Sequence, residues 1–322
     1  MTWVAWRQYR VELIIGLALL AALTAFLLPT GLEKLALFED LGLATCLDAG
    51  SPGCSRQVMQ FIQEYESLEA IVGWFNFAPA IVGALLAAPV VMEFEQRTYR
   101  LAWTQSITRG RWLVTKLGLA LLGAAIFSVV FTLLMTWWYS PLDKVTGRFE
   151  HFSFQGAMPL AYTLFAVSLA VAAGVLSRRT IVAMVATIVG FLAVRLTVEF
   201  MLRPHYITPL EKVIALGAPA PDSKPKLAIP DGAWTVDERL VDAAGNTLTN
   251  QHLFEICPPS GVGPGIQVER TDISCLEGVF SRLLYHPADR FWTFQAIEAA
   301  IFLGITAVLL GLTVWVVRRR MS

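Results

Sequence analysis

Long apolar segments without a charged side chain dominate this sequence. The segments from Ala70 to Met92 and from Leu117 to Leu142 contain no charged residue, and each is long enough to cross a hydrocarbon core of about 30 Å as a helix. Of the 322 residues, 56% are hydrophobic and 16% are charged, whereas a soluble domain has roughly a quarter of its residues charged. The sequence therefore predicts a membrane protein.

The apolar segments predict an all-α polytopic membrane protein with six transmembrane helices and both termini in the cytoplasm. The transmembrane domain covers residues 13–317, and its spans lie at about 13–28, 70–92, 117–139, 157–176, 181–202 and 293–317. The first segment is too long for a cleaved signal peptide, and no small-residue cleavage site follows it. Residues 1–12 are expected to form a cytoplasmic interfacial helix, although the first turns of span one explain them equally well.

Basic residues decide the predicted orientation, because short cytoplasmic segments are rich in Lys and Arg. These residues concentrate at the N-terminus and in residues 93–116, 177–180 and 318–320. The first outer loop is acidic, and residues 203–290 form a long extracytoplasmic segment rich in Pro and Gly. We expect this segment to form a folded lid from about Ala218 to Leu284, in a multi-pass protein of the inner (plasma) membrane.

The four cysteines all lie outside the apolar segments, on the predicted extracytoplasmic side, where disulfides form and persist. Four cysteines allow three pairings. Pairs of Cys46 with Cys54 and of Cys257 with Cys275 close the shortest loops, and we predict these two. Metal binding is not expected, because zinc sites need tighter clusters of Cys and His.

A charged and aromatic segment separates the second span from the third. It contains the acidic pair Glu93 and Glu95, then Thr98, then residues 100–106 with the sequence Arg-Leu-Ala-Trp-Thr-Gln-Ser, and then Thr-Arg at 108–109 and Arg-Trp at 111–112. This order resembles the permease subunits of bacterial ABC-2 type exporters, of the two-gene actinobacterial sort in which permease and ATPase are separate chains. The chain departs from the family at Arg97, where a Gly is expected before Thr98.

The resemblance implies that residues 93–116 form a cytoplasmic coupling segment, with a short helix from Thr98 to Arg109 that docks into a groove of the ATPase. Interface anchors of this kind are enriched in Trp and Arg. By composition alone the segment would be an ordinary positive-inside loop, and the resemblance favours coupling instead. The implied coupling residues are Glu93, Glu95, Thr98, Arg100, Leu101, Trp103, Thr104, Gln105, Arg109 and Arg111.

The sequence contains no Gly-x-x-x-x-Gly-Lys-Ser/Thr phosphate loop, so it lacks the motif by which ABC ATPases bind nucleotide. We therefore expect no enzymatic activity and no cofactor in this chain, with ATP and Mg bound by a separate ATPase. A net charge of zero argues against a nucleic-acid partner.

Two polar features inside the spans are candidates for the substrate path or its gate. Arg195 and Glu199 are four residues apart, so they share one face of a helix and can pair. Asn76 is the polar residue of span two. A buried arginine is costly in a membrane and faces the bundle interior or a wet cavity. The pair either lines the path or holds helices together, and the sequence leaves both open.

Together these features predict the permease subunit of an ATP-driven ABC exporter. The resemblance implies two copies, or one copy with a related permease, in the lipid bilayer with two ABC ATPase subunits beneath. The alternatives are a membrane anchor or signalling subunit for a cytoplasmic ATPase, and a secondary transporter. Amphiphilic drugs, antibiotic peptides and lipids are all compatible with an apolar path that carries few charges.

Overall fold

The computed structural model describes residues 2–49, 54–98, 108–216, 232–256 and 276–320. The described chain is mostly helical, with one small sheet. Its α-helices are α1 (Thr2–Asp40), α2 (Leu43–Ala49), α3 (Cys54–Gly73), α4 (Ala78–Glu95), α5 (Arg109–Val145), α6 (Met158–Ser177), α7 (Thr180–Thr197), α8 (Asn250–Ile256) and α9 (Phe291–Arg320). The strands are β1 (Leu210–Ala215), β2 (Trp234–Asp242) and β3 (Val279–His286).

Six helical segments of the described chain are long and apolar enough to cross a membrane. They are Arg10–Asp40, Cys54–Glu95, Gly110–Val145, Met158–Ser177, Thr180–His205 and Ala288–Arg319. The predicted class, a helical membrane protein with six spans, is confirmed. Which end of the bundle faces the cytoplasm stays a prediction.

The helices extend beyond the apolar segments that predict them. Helix α1 is continuous over 39 residues, which is about 58 Å at 1.5 Å per residue. It has no break after residue 12, and Pro29 lies inside it. Hydropathy marks where a helix leaves the hydrocarbon, but the backbone hydrogen bonds of the helix continue into the charged residues that follow. The domain limits drawn from hydropathy stay predictions.

Helix α6 lies at the centre of the bundle, where it packs against α4, α5, α7 and α9. Small residues allow this close approach, as is common between membrane helices. A Cβ atom built on Gly174 of α6 would lie 2.5 Å from Cγ2 of Val91 on α4. A Cβ on Gly83 of α4 would overlap Ala166 of α6. The contact between α4 and α6 therefore requires glycine on both sides.

The two ends of the bundle differ in their contacts. We call residues 93–112, which carry the family resemblance, the motif. At one end of the bundle, which we call the motif end, the end of α4 meets the start of α7 through Glu95 and Thr180. A Cβ on Gly110 of α5 would lie 3.7 Å from Arg318 Nη2 of α9. The opposite end carries the three strands, and we call it the sheet end.

The segment between spans five and six contains an antiparallel sheet with strand order β1-β3-β2, which the all-α prediction did not include. Short strands that carry charges, such as β2, have no distinct hydropathy signal. Trp234 of β2 packs against Phe149, with ring centroids 5.7 Å apart, and against Phe294 of α9 at 6.0 Å. These rings attach the sheet to the bundle. The segment predicted as a lid therefore contains folded strands, with residues 217–231 and 257–275 outside the described ranges, and its role as a lid stays a prediction.

The disulfide predicted between Cys46 and Cys54 is confirmed, and it joins α2 to the start of α3 with a Cα to Cα distance of 5.5 Å. Cys257 and Cys275 lie outside the described residues, so their pairing stays a prediction.

We predict that Gly174→Ala destabilises the fold, because the added methyl group meets Val91, which is 2% exposed. Overpacking of this kind costs about 1–3 kcal/mol. Thermal unfolding of the purified protein in detergent should show a lower midpoint. The matched control is Gly118→Ala on α5, where an added Cβ has open space within 4 Å. Equal midpoints for the two variants would contradict the proposed packing.

Candidate functional site

At the motif end, two contacts join the end of α4 to the start of α5. Glu93 Oε1 lies 2.7 Å from Lys116 Nζ, and these side chains are 13% and 5% exposed. The rings of Phe94 and Trp112 meet edge to face at 5.4 Å. An ion pair that is largely shielded from water is stronger than one at the surface. The end of α4 and the start of α5 are therefore in direct contact on either side of residues 96–108.

The next acidic residue of the motif connects α4 to a different helix. The carboxylate of Glu95 accepts hydrogen bonds from the backbone N–H of Thr180, at 2.9 Å, and from the Thr180 hydroxyl. Thr180 is the first residue of α7, where backbone N–H groups have no partner within the helix. A carboxylate at this position also interacts favourably with the helix dipole. Glu95 thus caps α7.

Near the sheet end, the three residues predicted for the substrate path lie together. Arg195 is buried, with 4% of its surface exposed. Its Nη2 donates to Asn76 Oδ1 at 3.0 Å, and its Nε lies 3.5 Å from Glu199 Oε2. Asn76 lies in the 3-10 turn Trp74–Phe77 that precedes α4. The pairing of Arg195 with Glu199 agrees with their helical spacing.

The same cluster continues to α9 through a second arginine. Arg203 Nε and Nη2 donate to the two carboxylate oxygens of Glu298 at 2.8 and 2.9 Å. The hydroxyl groups of Tyr162 and Tyr206 donate to Glu298 at 2.5 and 3.3 Å. Glu199 also lies 3.5 Å from Arg203. We call this set the polar cluster; its members are Asn76, Tyr162, Arg195, Glu199, Arg203, Tyr206 and Glu298.

Sequence reasoning did not find the pairing of Arg203 with Glu298. In the sequence, Glu298 lies in the first turns of predicted span six, close to the membrane interface, whereas in the structure it is 1% exposed inside the bundle. The two residues are 95 positions apart, so no local spacing predicts the contact. The available signal was chemical, since a lone acid in an apolar helix needs a basic partner.

A further buried cation ties α1 to α3 and α5. Lys34 is 0% exposed, and its Nζ lies 3.1 Å from the ring centroid of Trp138 and 4.8 Å from that of Tyr65. Among the described residues, Nζ has no hydrogen-bond acceptor. The aromatic faces stabilise the ammonium group through cation–π interactions.

A family model described as "ABC-2 membrane transporter related" matches residues 17–203, more than half of the chain. The chain belongs to this family. The family supports an ABC transporter permease, a membrane subunit that is generally not itself catalytic. No curated protein and no solved structure was found to match the chain.

In this ABC-2 family member, the matched range contains the motif and most of the polar cluster. It ends at Arg203, so Glu298 and the sheet strands β1–β3 lie beyond it. The part of the cluster on α7 thus belongs to the family region, while its partner on α9 does not.

Arg97, where the resemblance predicts a Gly, has a backbone conformation typical of glycine. The φ angle of Arg97 is 57°, which lies in the left-handed region that glycine adopts without steric cost. The chain therefore keeps the backbone turn expected of a glycine, although an arginine occupies the position.

The structure describes only part of the predicted coupling residues. Thr98 lies in the turn after α4, Thr108 caps α5 by accepting from the N–H of Arg111 at 3.4 Å, and the Arg111 side chain is exposed. The predicted helix from Thr98 to Arg109 falls almost wholly outside the described residues. The coupling residues in that part are Arg100, Leu101, Trp103, Thr104 and Gln105. The side chain of Arg109 is likewise not among those that the structure describes.

We predict that Glu298→Ala strongly destabilises the permease, because it leaves the Arg203 charge buried without its partner. Breaking a buried ion pair from one side costs about 3–5 kcal/mol. Thermal unfolding in detergent should show a large drop in midpoint, and replacing both Arg203 and Glu298 by Met should recover part of it.

The matched control is Arg282→Ala. Arg282 pairs with Glu211 in the sheet at 2.8 Å, but the two side chains are 48% and 45% exposed. Surface pairs contribute about 0–1 kcal/mol, so this variant should unfold close to the wild type. A drop as large as that of Glu298→Ala would contradict a special role of the buried pair.

Proposed function

We propose that this permease forms the membrane path of an ATP-driven ABC exporter in the plasma membrane. It would work as a dimer, or with a related permease, above two separate ABC ATPase subunits. The observation that best supports this proposal is the pair of contacts made by Glu93 and Glu95, which join the end of α4 to α5 and to the start of α7. The family match supports the permease class, and the arrangement at the motif end supports coupling.

Basic residues at the motif end support a cytoplasmic position for it. Lys116, Arg178 and Arg318 all lie at this end, beside the ends of α4, α5, α6 and α9. Short cytoplasmic segments are enriched in Lys and Arg. The motif would then face the compartment that contains ATP, and the sheet would lie outside.

Coupling would proceed through contacts that the two acids make. A force on residues 93–116 would reach α5 through Glu93 and Lys116, and α7 through Glu95 and Thr180. Helix α7 carries Arg195 near its other end, where the polar cluster begins. A rigid helix would therefore transmit a displacement at the motif end to that cluster, which we assign to the substrate path or its gate.

The chemistry of nucleotide hydrolysis would belong to the partner. Since this sequence has no phosphate loop, ATP and Mg would bind the ATPase, and the permease would contribute no cofactor of its own. The polar cluster would instead supply a set of buried charges whose pairing changes between states. Six spans form only a narrow path, which is the reason for proposing two permease chains.

The buried Glu298 adds an acid of the kind that secondary transporters use. Its two oxygens are occupied by Arg203, Tyr162 and Tyr206, so it has little freedom to exchange an ion. A membrane anchor without transport is the other alternative, and it would share the motif but need no path.

We predict that Glu95→Ala uncouples the exporter without unfolding it. The variant removes the cap of α7, and a coupling free energy of 1–3 kcal/mol corresponds to a loss of about fivefold or more. The measurement is ATP-dependent transport in proteoliposomes that contain the permease and the ATPase that co-purifies with it. Glu64→Ala is the control, because Glu64 is an exposed acid of α3.

A charge exchange provides a second test at the same end. Glu93→Lys or Lys116→Glu alone should lower coupling, because each places two like charges together, whereas the double variant should restore it. Full transport in all single variants would remove the case for coupling through the motif. ATP hydrolysis in the complex without ATP-driven movement of any candidate substrate would favour the membrane anchor.

A further inference from the structure

A cavity of about 410 Å³ opens at the sheet end, between the residues that follow α7 and strand β2. Its volume lies within the range of pockets that bind small molecules, about 300–1,000 Å³. Helix α7 continues here as a π-helical turn, Val198–Leu202, and such turns are frequent at functional sites. The lining residues that matter to the argument are Phe149, Glu150, Glu199, Phe200, Arg203 and Trp234.

The charges around this cavity leave an excess of negative charge. Arg203 faces it, but Glu298 already occupies its Nε and Nη2 at 2.8 and 2.9 Å. Glu199 is 3.5 Å from both Arg195 and Arg203, and 29% of its side chain is exposed. Among the described residues that line the cavity, Glu150 and Glu199 are acidic and Arg203 is basic, so this described lining has a net charge of −1.

The other walls are aromatic. The rings of Phe149 and Trp234 are stacked, with centroids 5.7 Å apart and planes at 18°. Because the faces of these two rings are turned toward each other, they offer the cavity apolar surface, and the attraction for a positive charge comes from the carboxylates. Carboxylates beside apolar ring surface are suited to a positive charge that carries apolar groups.

The cavity borders the side of the bundle and not only its end. Phe200 lines it and is 72% exposed, and its neighbour Met201 is 69% exposed. Both lie in the segment Thr180–His205, which is apolar enough to span a membrane. A ligand dissolved in the bilayer near the headgroups could enter between these side chains without crossing water.

We propose that this cavity binds lipophilic organic cations of single charge, such as ammonium or phosphonium ions with apolar substituents. The inference deepens the proposed function and rests on it for transport, since it assigns the class of substrate to the path beside the polar cluster. Binding itself does not depend on ATP or on the ATPase.

The experiment compares two ions of the same shape and opposite charge. Tetraphenylphosphonium and tetraphenylborate binding would be measured at equilibrium to the full permease chain in nanodiscs of zwitterionic lipid. Binding to empty nanodiscs is subtracted, because both ions partition into lipid. We expect saturable binding of the phosphonium that depends on the cavity, and no such component for the borate.

Three variants locate the site. Trp234→Ala and Glu199→Gln should each weaken phosphonium binding about tenfold, which is 1.4 kcal/mol. Glu150→Gln should weaken it about threefold, as is typical of an exposed charge pair. Glu150 lies outside the polar cluster and outside the ring contacts that attach the sheet, so its variant tests the site even if Glu199→Gln or Trp234→Ala perturbs the fold. Glu64→Gln removes an exposed acid elsewhere and should leave binding unchanged.

The outcomes separate this inference from the proposed function. Equal cavity-dependent binding of both ions, or phosphonium binding that none of the three variants weakens, would overturn the cation site. Export of another compound by the complex would then leave the exporter in place. Phosphonium binding that the three variants weaken as expected would support the site. If the complex also showed no ATP-driven movement of any compound, the proposed exporter function would be contradicted.

Discussion

The ion pair of Arg203 and Glu298 is the contact on which the sheet end of this bundle depends. A charge in an apolar bundle is stable only with a partner. Here the opposite charges of the two residues offset the cost of burying each of them. The pair joins the end of the α7 segment to α9, and the hydroxyl group of Tyr162 brings in the central helix α6. Three helices are therefore joined at one point by polar contacts, and along much of their length they pack through apolar and small residues.

Helix α7 connects the two polar regions of the molecule. Its first residue, Thr180, is held by Glu95 at the motif end, and Arg195 near its last turn enters the polar cluster. Between these points it packs against α6 and α4, and much of its remaining surface is apolar and exposed. Among the described residues, the polar contacts of α7 with other segments lie near its two ends. This geometry joins the motif end to the polar cluster.

The predictions that succeeded from sequence all used local or compositional signals. Six apolar segments predicted six helical spans, a spacing of four predicted that Arg195 meets Glu199, and eight residues of separation favoured the bond between Cys46 and Cys54. The predictions that failed or were not made needed distant partners. The Glu95 cap of α7 joins residues 85 positions apart, and the aromatic surroundings of Lys34 come from α3 and α5.

By itself, the sequence determined the membrane class, the number of spans and the motif that indicates an ABC-2 permease, because these follow from length, composition and local order. Only the tertiary structure decided which charge meets which, where the sheet attaches, and that a cavity opens beside Glu199. The physical reason is that the sequence shows which charged residues lie in apolar segments and need a partner. The identity of that partner depends on how the helices pack across the whole chain.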